Sequence, residues 1–205
     1  MNATDGAILQ QIFPPELWRR KRLRPSASLF HVGQAANAIF IVLSGAVRLE
    51  HVQSNGERVQ YPPTGPGGVI GETSFFAGAF ACDGLAQGAT EVAYILRRDV
   101  LAHVRDKPEA GLALARLLSD QVVRLRERIE LMQLRSAKAR VFAWLRAQHL
   151  AACAGDRGKA LVLQRPWLDI AADLGLTHEA VYRALAALAQ ERRIWRQGRA
   201  VRLLR

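Results

Sequence analysis

Residues 165–205 read RPWLDIAADLGLTHEAVYRALAALAQERRIWRQGRAVRLLR, and this stretch decides the fold. A first short helix has apolar residues at helical spacing, and Gly175 ends it because glycine reaches the left-handed conformation of a helix C-terminus. Thr177 is the predicted N-cap of a second helix, since its hydroxyl can accept a hydrogen bond from an unpaired backbone amide. Two short helices joined by so tight a turn predict a helix-turn-helix.

The second helix has two chemically different faces. Its apolar stripe comprises Ala180, Val181, Ala184, Leu185 and Leu188. A stripe of this spacing docks on a domain core, which leaves the opposite, polar face for the DNA major groove. After this helix, two short strand-like segments flank Gln197-Gly198-Arg199, which predicts a hairpin wing. The predicted DNA-contacting residues are Thr177, His178, Glu179, Tyr182, Arg183 and Arg199. The alternative interpretation is an ordinary helical hairpin with a solvated face.

The charge distribution favours the DNA interpretation. The 205-residue chain has a formal net charge of +11. Residues 136–205 hold 13 Lys and Arg against 5 Asp and Glu, a net +8, whereas residues 1–135 hold 16 against 13, a net +3. The excess is almost all arginine, which suits bidentate contacts with phosphate and guanine.

Several function classes lack support in the sequence. No apolar run is long enough to span a bilayer, and the first residues lack the basic and apolar segments of a signal peptide, so we expect a cytoplasmic protein without membrane contact. The two cysteines, Cys82 and Cys153, form neither a disulfide framework nor a metal-ligand spacing. No nucleophile–base constellation and no phosphate-binding loop is present, so we expect no enzymatic activity and no metal site.

The first half of the chain is rich in short strand-like segments separated by glycine. An apolar run from Ala38 to Leu43 is followed by an alternating segment to Val52, and Asn55-Gly56 is a hairpin signal. Further strands are predicted at Cys82–Gln87 and Glu91–Leu96. This pattern indicates a β-sandwich or barrel up to about Lys107.

A long helix is predicted from Pro108 to about Arg135. Apolar residues recur along it at alternating spacings of three and four, which is the seam of a coiled coil. The predicted dimer-interface residues are Ala115, Leu118, Val122, Leu125, Ile129 and Met132. A second stripe of four leucines, at 114, 117, 131 and 134, is expected to pack back on the β-domain. The alternative is a long core helix within a monomer.

Three motifs carry a family resemblance. These are IVLSGAV at residues 41–47, GGVIGE at residues 67–72, and the helix-turn-helix from Asp169 to Arg183. Together with the element order, they resemble the Crp/Fnr (cyclic-AMP receptor / FNR) family of bacterial transcription regulators. The resemblance implies an α+β fold with a cyclic-nucleotide-binding-like β-roll, a long dimerisation helix and a C-terminal winged helix-turn-helix. The implied domains span residues 1–107, 108–135 and 136–205.

The resemblance also implies partners and an effector pocket. Family members are homodimers that bind inverted-repeat sites in double-stranded DNA and contact RNA polymerase. The corresponding pocket residues in this chain are Gly71, Glu72, Cys82, Asp83, Leu125 and Arg126. Cyclic-nucleotide binders place an arginine and a small hydroxyl residue where this chain has Cys82-Asp83. Since a carboxylate repels phosphate, the sequence argues against cyclic AMP as the effector.

The cysteine and histidine residues bear on two other classes of effector, iron–sulfur clusters and haem. Two distant cysteines cannot supply the ligands of an iron–sulfur cluster. Haem needs an axial ligand such as histidine, and four histidines are available, although each is more often a surface or core residue: His31, His51, His103 and His149. We expect Cys82 to be a buried packing residue rather than a redox sensor, because the negative charge of Asp83 disfavours the thiolate form of Cys82. We therefore expect no cofactor and leave the effector open. The alternative function is a ligand-sensing module, its DNA binding switched by a cyclic nucleotide, haem or another small molecule.

Overall fold

The computed structural model describes residues 3–153, 156, 158–163 and 165–204. The chain divides into two compact units, Met1–Gln121 and Val122–Arg205. The division falls inside one long helix, and each unit has its own hydrophobic core. Among the described residues, no helix combines the length and the apolarity needed to cross a membrane.

The first unit is built on an antiparallel sheet with helices around it. Its elements in chain order are α1 (Ala3–Ile12), a 3-10 turn (Pro15–Leu17), β1 (Arg19–Leu23), β2 (Ser28–Phe30), β3 (Ala38–Val52), β4 (Arg58–Gln60), β5 (Val69–Ile70), β6 (Asp83–Leu96), α2 (Arg97–Asp106) and the first part of α3 (Pro108–Gln133). The strands pair in the order β1-β6-β3-β4, while β2 pairs with β6 and β5 pairs with β3.

The start of β3 is buried on both faces, which explains its continuous apolar run. Phe40 and Val42 point into a core with Phe30 and Phe80, and the Phe30 and Phe80 rings stack at 3.9 Å between centroids. The intervening residues of β3 belong to a second core, which α1, α2 and α3 cover. Because side chains alternate along a strand, both faces need apolar residues here.

The structure corrects three expectations about the first half of the chain. The predicted strands Cys82–Gln87 and Glu91–Leu96 form one strand, β6, which pairs along most of its length with β3. The segment before Lys107 is not purely strand-like, because it also contains α1 and α2. The second leucine stripe divides: Leu114 and Leu117 are buried in the core of the first unit, whereas Leu131 packs against the core of the second.

The second unit is a small α/β domain. After the end of α3 it comprises α4 (Ala137–Cys153), β7 (Leu161–Val162), α5 (Trp167–Asp173), α6 (His178–Gln190), β8 (Ile194–Gln197) and β9 (Ala200–Leu203). The three strands pair antiparallel in the order β7-β9-β8. The Arg140 guanidinium donates hydrogen bonds to the carbonyls of Met132, Leu134 and Leu174, at 2.9–3.0 Å. It thereby joins the end of α3 to the turn after α5.

Candidate nucleic-acid interface

Helices α5 and α6 form the predicted helix-turn-helix. The apolar residues expected on α5, among them Trp167 and Ile170, are buried, and Gly175 has the predicted positive φ of 61°. The amide of Ala180 donates a hydrogen bond of 3.2 Å to the Thr177 hydroxyl, which makes Thr177 the N-cap of α6. Local turn chemistry and core packing therefore favour the same geometry.

Helix α6 presents its polar face to solvent. Val181, Ala184, Leu185 and Leu188 are buried, which fixes the helix on the core. His178, Glu179, Tyr182 and Arg183 are all exposed on the other side. This arrangement leaves the face free to enter a groove of DNA.

The electrostatic surroundings of Glu179 favour its ionised form, which accepts hydrogen bonds. Hydrogen bonds from its own backbone amide and from the Thr177 side chain lower the pKa of its carboxyl group, and the charges of His178 and Arg183 lower it further. The side chain is therefore ionised at neutral pH. An ionised carboxylate can accept a hydrogen bond from cytosine N4, while arginine can donate two to guanine.

Strands β8 and β9 form the predicted wing. They pair from Ile194–Leu203 to Gln197–Ala200, and Gly198 in the turn between them has a φ of 56°. Arg199 lies exposed in this turn. An exposed arginine in such a turn can donate hydrogen bonds to phosphate oxygens.

The residues of the implied effector pocket make contacts that the sequence did not predict. Glu72 is only 6 % exposed, and its side chain hydrogen-bonds to Gln121 of α3. Gln121 Nε2 in turn donates to Asp5 Oδ2 of α1 at 3.4 Å. Burial, reinforced by the charge of Asp5, raises the pKa of Glu72 from 4.5 to about 7.

Helix α1 closes directly over this region. The amide of Gly6 donates to the Gly67 carbonyl at 2.9 Å, and a Cβ on Gly6 would lie only 2.6 Å from that oxygen. Sequence patterns do not predict the roles of Asp5, Gly6 and Gln121, because a contact between the two ends of a 121-residue unit leaves no local signal. The local features that could have indicated this contact are Gly6 and the apolar segment that follows it.

Cys82 directly precedes β6, and Asp83 is the first residue of that strand. Asp83 Oδ1 accepts a hydrogen bond of 2.9 Å from the Val32 amide and lies 3.3 Å from His31 Nδ1. Cys82 is half-buried rather than buried, and it packs against the core that contains Phe30. Burial and the Asp83 charge raise the pKa of the Cys82 thiol, so it stays protonated at neutral pH.

Leu125 and Arg126, the remaining implied pocket residues, lie in the second unit and are exposed on α3. The seam of α3 is largely exposed in the single chain: Val122, Leu125, Ile129 and Met132 have exposed fractions of 42–58 %. Leu118 is half-buried against the core of the first unit, and Ala115 is exposed. Within the described residues, no cluster of three or more His, Cys, Asp or Glu side chains could hold a metal ion.

Comparison with known proteins identifies the family. Residues 20–107 match the model of the cyclic nucleotide-binding domain. The chain is also 30 % identical over 175 residues to the cyclic AMP receptor protein of Thermus thermophilus, covering 84 % of this chain and 78 % of that protein. The chain belongs to the Crp/Fnr family of transcription regulators. The resemblance read from the three sequence motifs is thereby confirmed.

Solved structures of Crp/Fnr proteins share the fold. The catabolite activator protein of Thermus thermophilus has a TM-score of 0.52 at 25 % identity, over 96 % of this chain and 93 % of that one. A CooA variant from Carboxydothermus hydrogenoformans has a TM-score of 0.65 at 20 % identity, over 93 % and 85 %. The predicted α+β class, with a β-roll, a long helix and a winged helix-turn-helix, is confirmed.

Proposed function

We propose that this Crp/Fnr regulator is a homodimer that binds specific inverted-repeat sequences in double-stranded DNA without requiring cyclic AMP. The observation that carries the DNA-binding part is the face of α6. Four exposed side chains able to contact base edges stand on a helix whose opposite side is fixed by buried residues. The exposed basic turn of the wing supports the same function.

The proposed DNA contacts are of two kinds, contacts with bases and contacts with phosphates. Arg183 and Glu179 are the proposed base readers, supported by His178 and Tyr182, since all four project from the first two turns of α6. Thr177 lies at the N-terminus of the same helix, where backbone amides attract phosphate. Arg199 is a proposed phosphate contact. Family resemblance places a TGA-like core in each half-site.

The α3 seam supports the homodimer. Large apolar side chains exposed at heptad spacing are unfavourable in water, and a second copy of the same helix would bury them. The proposed interface consists of Ala115, Leu118, Val122, Leu125, Ile129 and Met132. A dimer with two reading helices matches an inverted repeat, which agrees with the proposed operator. The family assignment supports a proposed contact with RNA polymerase and a proposed role that is purely regulatory and non-enzymatic.

The alternative function is a ligand sensor whose effector switches DNA binding, and the match to a cyclic nucleotide-binding domain favours it. Its proposed pocket residues are Gly71, Glu72, Cys82, Asp83, Leu125 and Arg126. Cys82 and Asp83 supply no positive charge for a cyclic phosphate, which argues against cyclic AMP.

The DNA-binding proposal is tested by separating base contacts from phosphate contacts. An operator is first selected from a randomised duplex pool with the wild-type protein. Arg183→Ala is expected to weaken operator binding by about 1–3 kcal/mol and to relax the preference at one base pair. Arg199→Ala is expected to weaken binding to all sequences and to reduce the salt slope by about one. Unchanged affinity and unchanged preference in Arg183→Ala would exclude α6 as the reading helix.

A further inference from the structure

The side chain of Arg196 bridges the wing and the helix-turn-helix. Its guanidinium carbon lies 4.8 Å from the ring centre of Tyr182 on α6 and 5.6 Å from that of Trp167 on α5. Both distances are within the range at which a cation is attracted to an aromatic face. A residue of β8 thus contacts both helices of the motif.

The same side chain also holds the tip of the wing. Arg196 Nε donates a hydrogen bond of 3.1 Å to the carbonyl of Gly198, and Trp167 Nε1 donates one of 3.3 Å to the same oxygen. Gly198 is the turn residue with positive φ, so its carbonyl marks the sharpest point of the hairpin. Two donors, one from the wing and one from α5, therefore meet at a single wing-tip carbonyl.

The contacts continue to the start of the reading helix. The rings of His178 and Tyr182 lie 4.5 Å apart in an edge-to-face arrangement. We call the four side chains His178, Tyr182, Arg196 and Trp167 the aromatic clasp. The clasp runs from Trp167, which is 4 % exposed, to Tyr182, which is 38 % exposed. It therefore connects the core of the domain to the surface that we propose faces DNA.

Resting on the proposed DNA-binding function, we propose that Arg196 is a positioning residue that holds the wing against the reading helix. With the clasp formed, the base-reading side chains of α6 and the phosphate-contacting Arg199 are presented as one rigid surface. Without it, the wing must be ordered during binding, which lowers affinity for the correct operator. Its effect on DNA is thus exerted through Tyr182 and Gly198 rather than by contact between its guanidinium and a phosphate group.

Arg196→Lys separates this role from a simple phosphate contact. Lysine keeps the positive charge but lacks the planar guanidinium that stacks on rings and the Nε donor for Gly198. Arg202→Lys is the matched control, because Arg202 on β9 contacts the ring of Trp195 at 5.5 Å within the wing itself. The control removes a similar contact without touching α5 or α6.

The experiment measures binding to the selected operator and to a random duplex at several salt concentrations. Arg196→Lys is expected to lose about 3- to 30-fold in operator affinity, which spans the values of cation–π contacts from exposed to desolvated sites. Its salt slope is expected to stay at the wild-type value, and its random-duplex affinity is expected to fall less than its operator affinity, because only operator binding needs the wing and the reading helix fixed at the same time. Arg202→Lys is expected to retain both affinities. In the free protein, the Trp167 indole N–H resonance is expected to shift in Arg196→Lys, because its acceptor Gly198 moves.

Three results would overturn the proposal. Operator affinity unchanged in Arg196→Lys but reduced in Arg196→Gln would make Arg196 a charge contact. A lower thermal midpoint with equal losses on both duplexes would make it a stability residue. An unchanged Trp167 indole signal in free Arg196→Lys would exclude the clasp. Failure of the wild type to prefer any duplex would instead refute the proposed function, and the indole measurement, made without DNA, keeps the two failures distinct.

Discussion

Glu72 is a buried carboxyl group held between three segments that are distant in sequence. It follows Gly71, contacts Gln121 of α3, and lies under the influence of Asp5 on α1. Water is largely excluded from this site, so the charged form of Glu72 is disfavoured. The structure thus gives the glutamate of the GGVIGE motif a packing environment that the motif alone does not predict.

The raised pKa of Glu72 makes stability depend on pH. Its folded value of about 7 lies above the ordinary 4.5. Between these values the folded chain binds more protons than the unfolded chain, so stability falls as pH rises from about 4.5 to 7. The full loss is on the order of 3 kcal/mol. Glu72→Gln is expected to remove this loss, so that urea unfolding at pH 8 shows the variant to be more stable than the wild type.

A matched control for this prediction is Glu57→Gln. Glu57 is an exposed carboxylate in the β3–β4 turn, and its replacement is expected to leave the pH dependence unchanged. Urea midpoints collected at pH 5, 6, 7 and 8 for all three proteins give the comparison. If Glu72→Gln keeps the wild-type slope, the burial of this carboxyl does not control stability.

Asp83 and Cys82 together predict weak binding of cyclic AMP. The Asp83 carboxylate is engaged with Val32 and His31, and the neutral thiol of Cys82 carries no charge. Neither group offsets the cost of desolvating a phosphate. Calorimetry is expected to give a dissociation constant weaker than about 1 mM for the wild type. Cys82→Arg with Asp83→Ser supplies a guanidinium and a hydroxyl and is expected to bind more tightly. Tight, stoichiometric binding to the wild type would refute this assignment.

Strands β3 and β6 show how long-range pairing overrides a local turn signal. Gly45 and Gly88 both have positive φ and look like chain reversals in the sequence, yet each lies inside a long strand. The pairing shifts at a bulge around Ser44, and buried Thr90 stabilises it by hydrogen bonds to the backbone of Ala46. A bulge increases the local twist of a strand, and the two glycines can adopt the positive φ found here without steric strain.

Gly45→Ala is expected to destabilise the protein far more than Gly56→Ala. Both glycines have a φ near 80°, so each alanine incurs about 1–2 kcal/mol of backbone strain. At Gly45 the added Cβ would also lie 2.4 Å from the Ala89 carbonyl, whereas at Gly56 nothing lies within 4 Å. Overpacking adds about 1–3 kcal/mol at Gly45 alone. Urea unfolding measures the difference; equal midpoints would mean that the bulge relaxes freely.

The elements that could be predicted from sequence are those with local determinants. In the second unit, Gly175, Thr177 and the buried stripe of α6 each act within a few residues, and the helices and the wing lie where they were expected. Helix α1 and the continuous β6 depend on partners far along the chain, so local periodicity did not reveal them. The aromatic clasp was missed for the same reason, because Arg196 meets Tyr182 only after the wing folds back.

At the scale of the whole molecule, α3 leaves much of its apolar seam exposed in the single chain. A helix with buried residues at Leu114 and Leu117 but exposed ones at Val122, Leu125 and Ile129 is only partly covered by its own chain. Each leucine-sized side chain that a second copy buries contributes about 1.5–3 kcal/mol. The proposed dimer therefore gains enough from the seam to offset a substantial part of the entropy of association.

Charging the seam is expected to produce folded monomers. Leu125 and Ile129 are 58 % and 56 % exposed, so Leu125→Glu with Ile129→Glu should leave the single chain folded, as circular dichroism would verify. In a dimer the same carboxylates would be buried opposite each other, at a cost that dissociates the two copies.

Val123→Glu is the control, because Val123 is 49 % exposed but lies one position off the seam. Light scattering at micromolar concentration is expected to give a dimer for the wild type and Val123→Glu and a monomer for the double variant. The double variant is also expected to lose operator binding, since one reading helix then contacts one half-site alone. A monomeric wild type, or a double variant that remains dimeric, would exclude α3 as the interface.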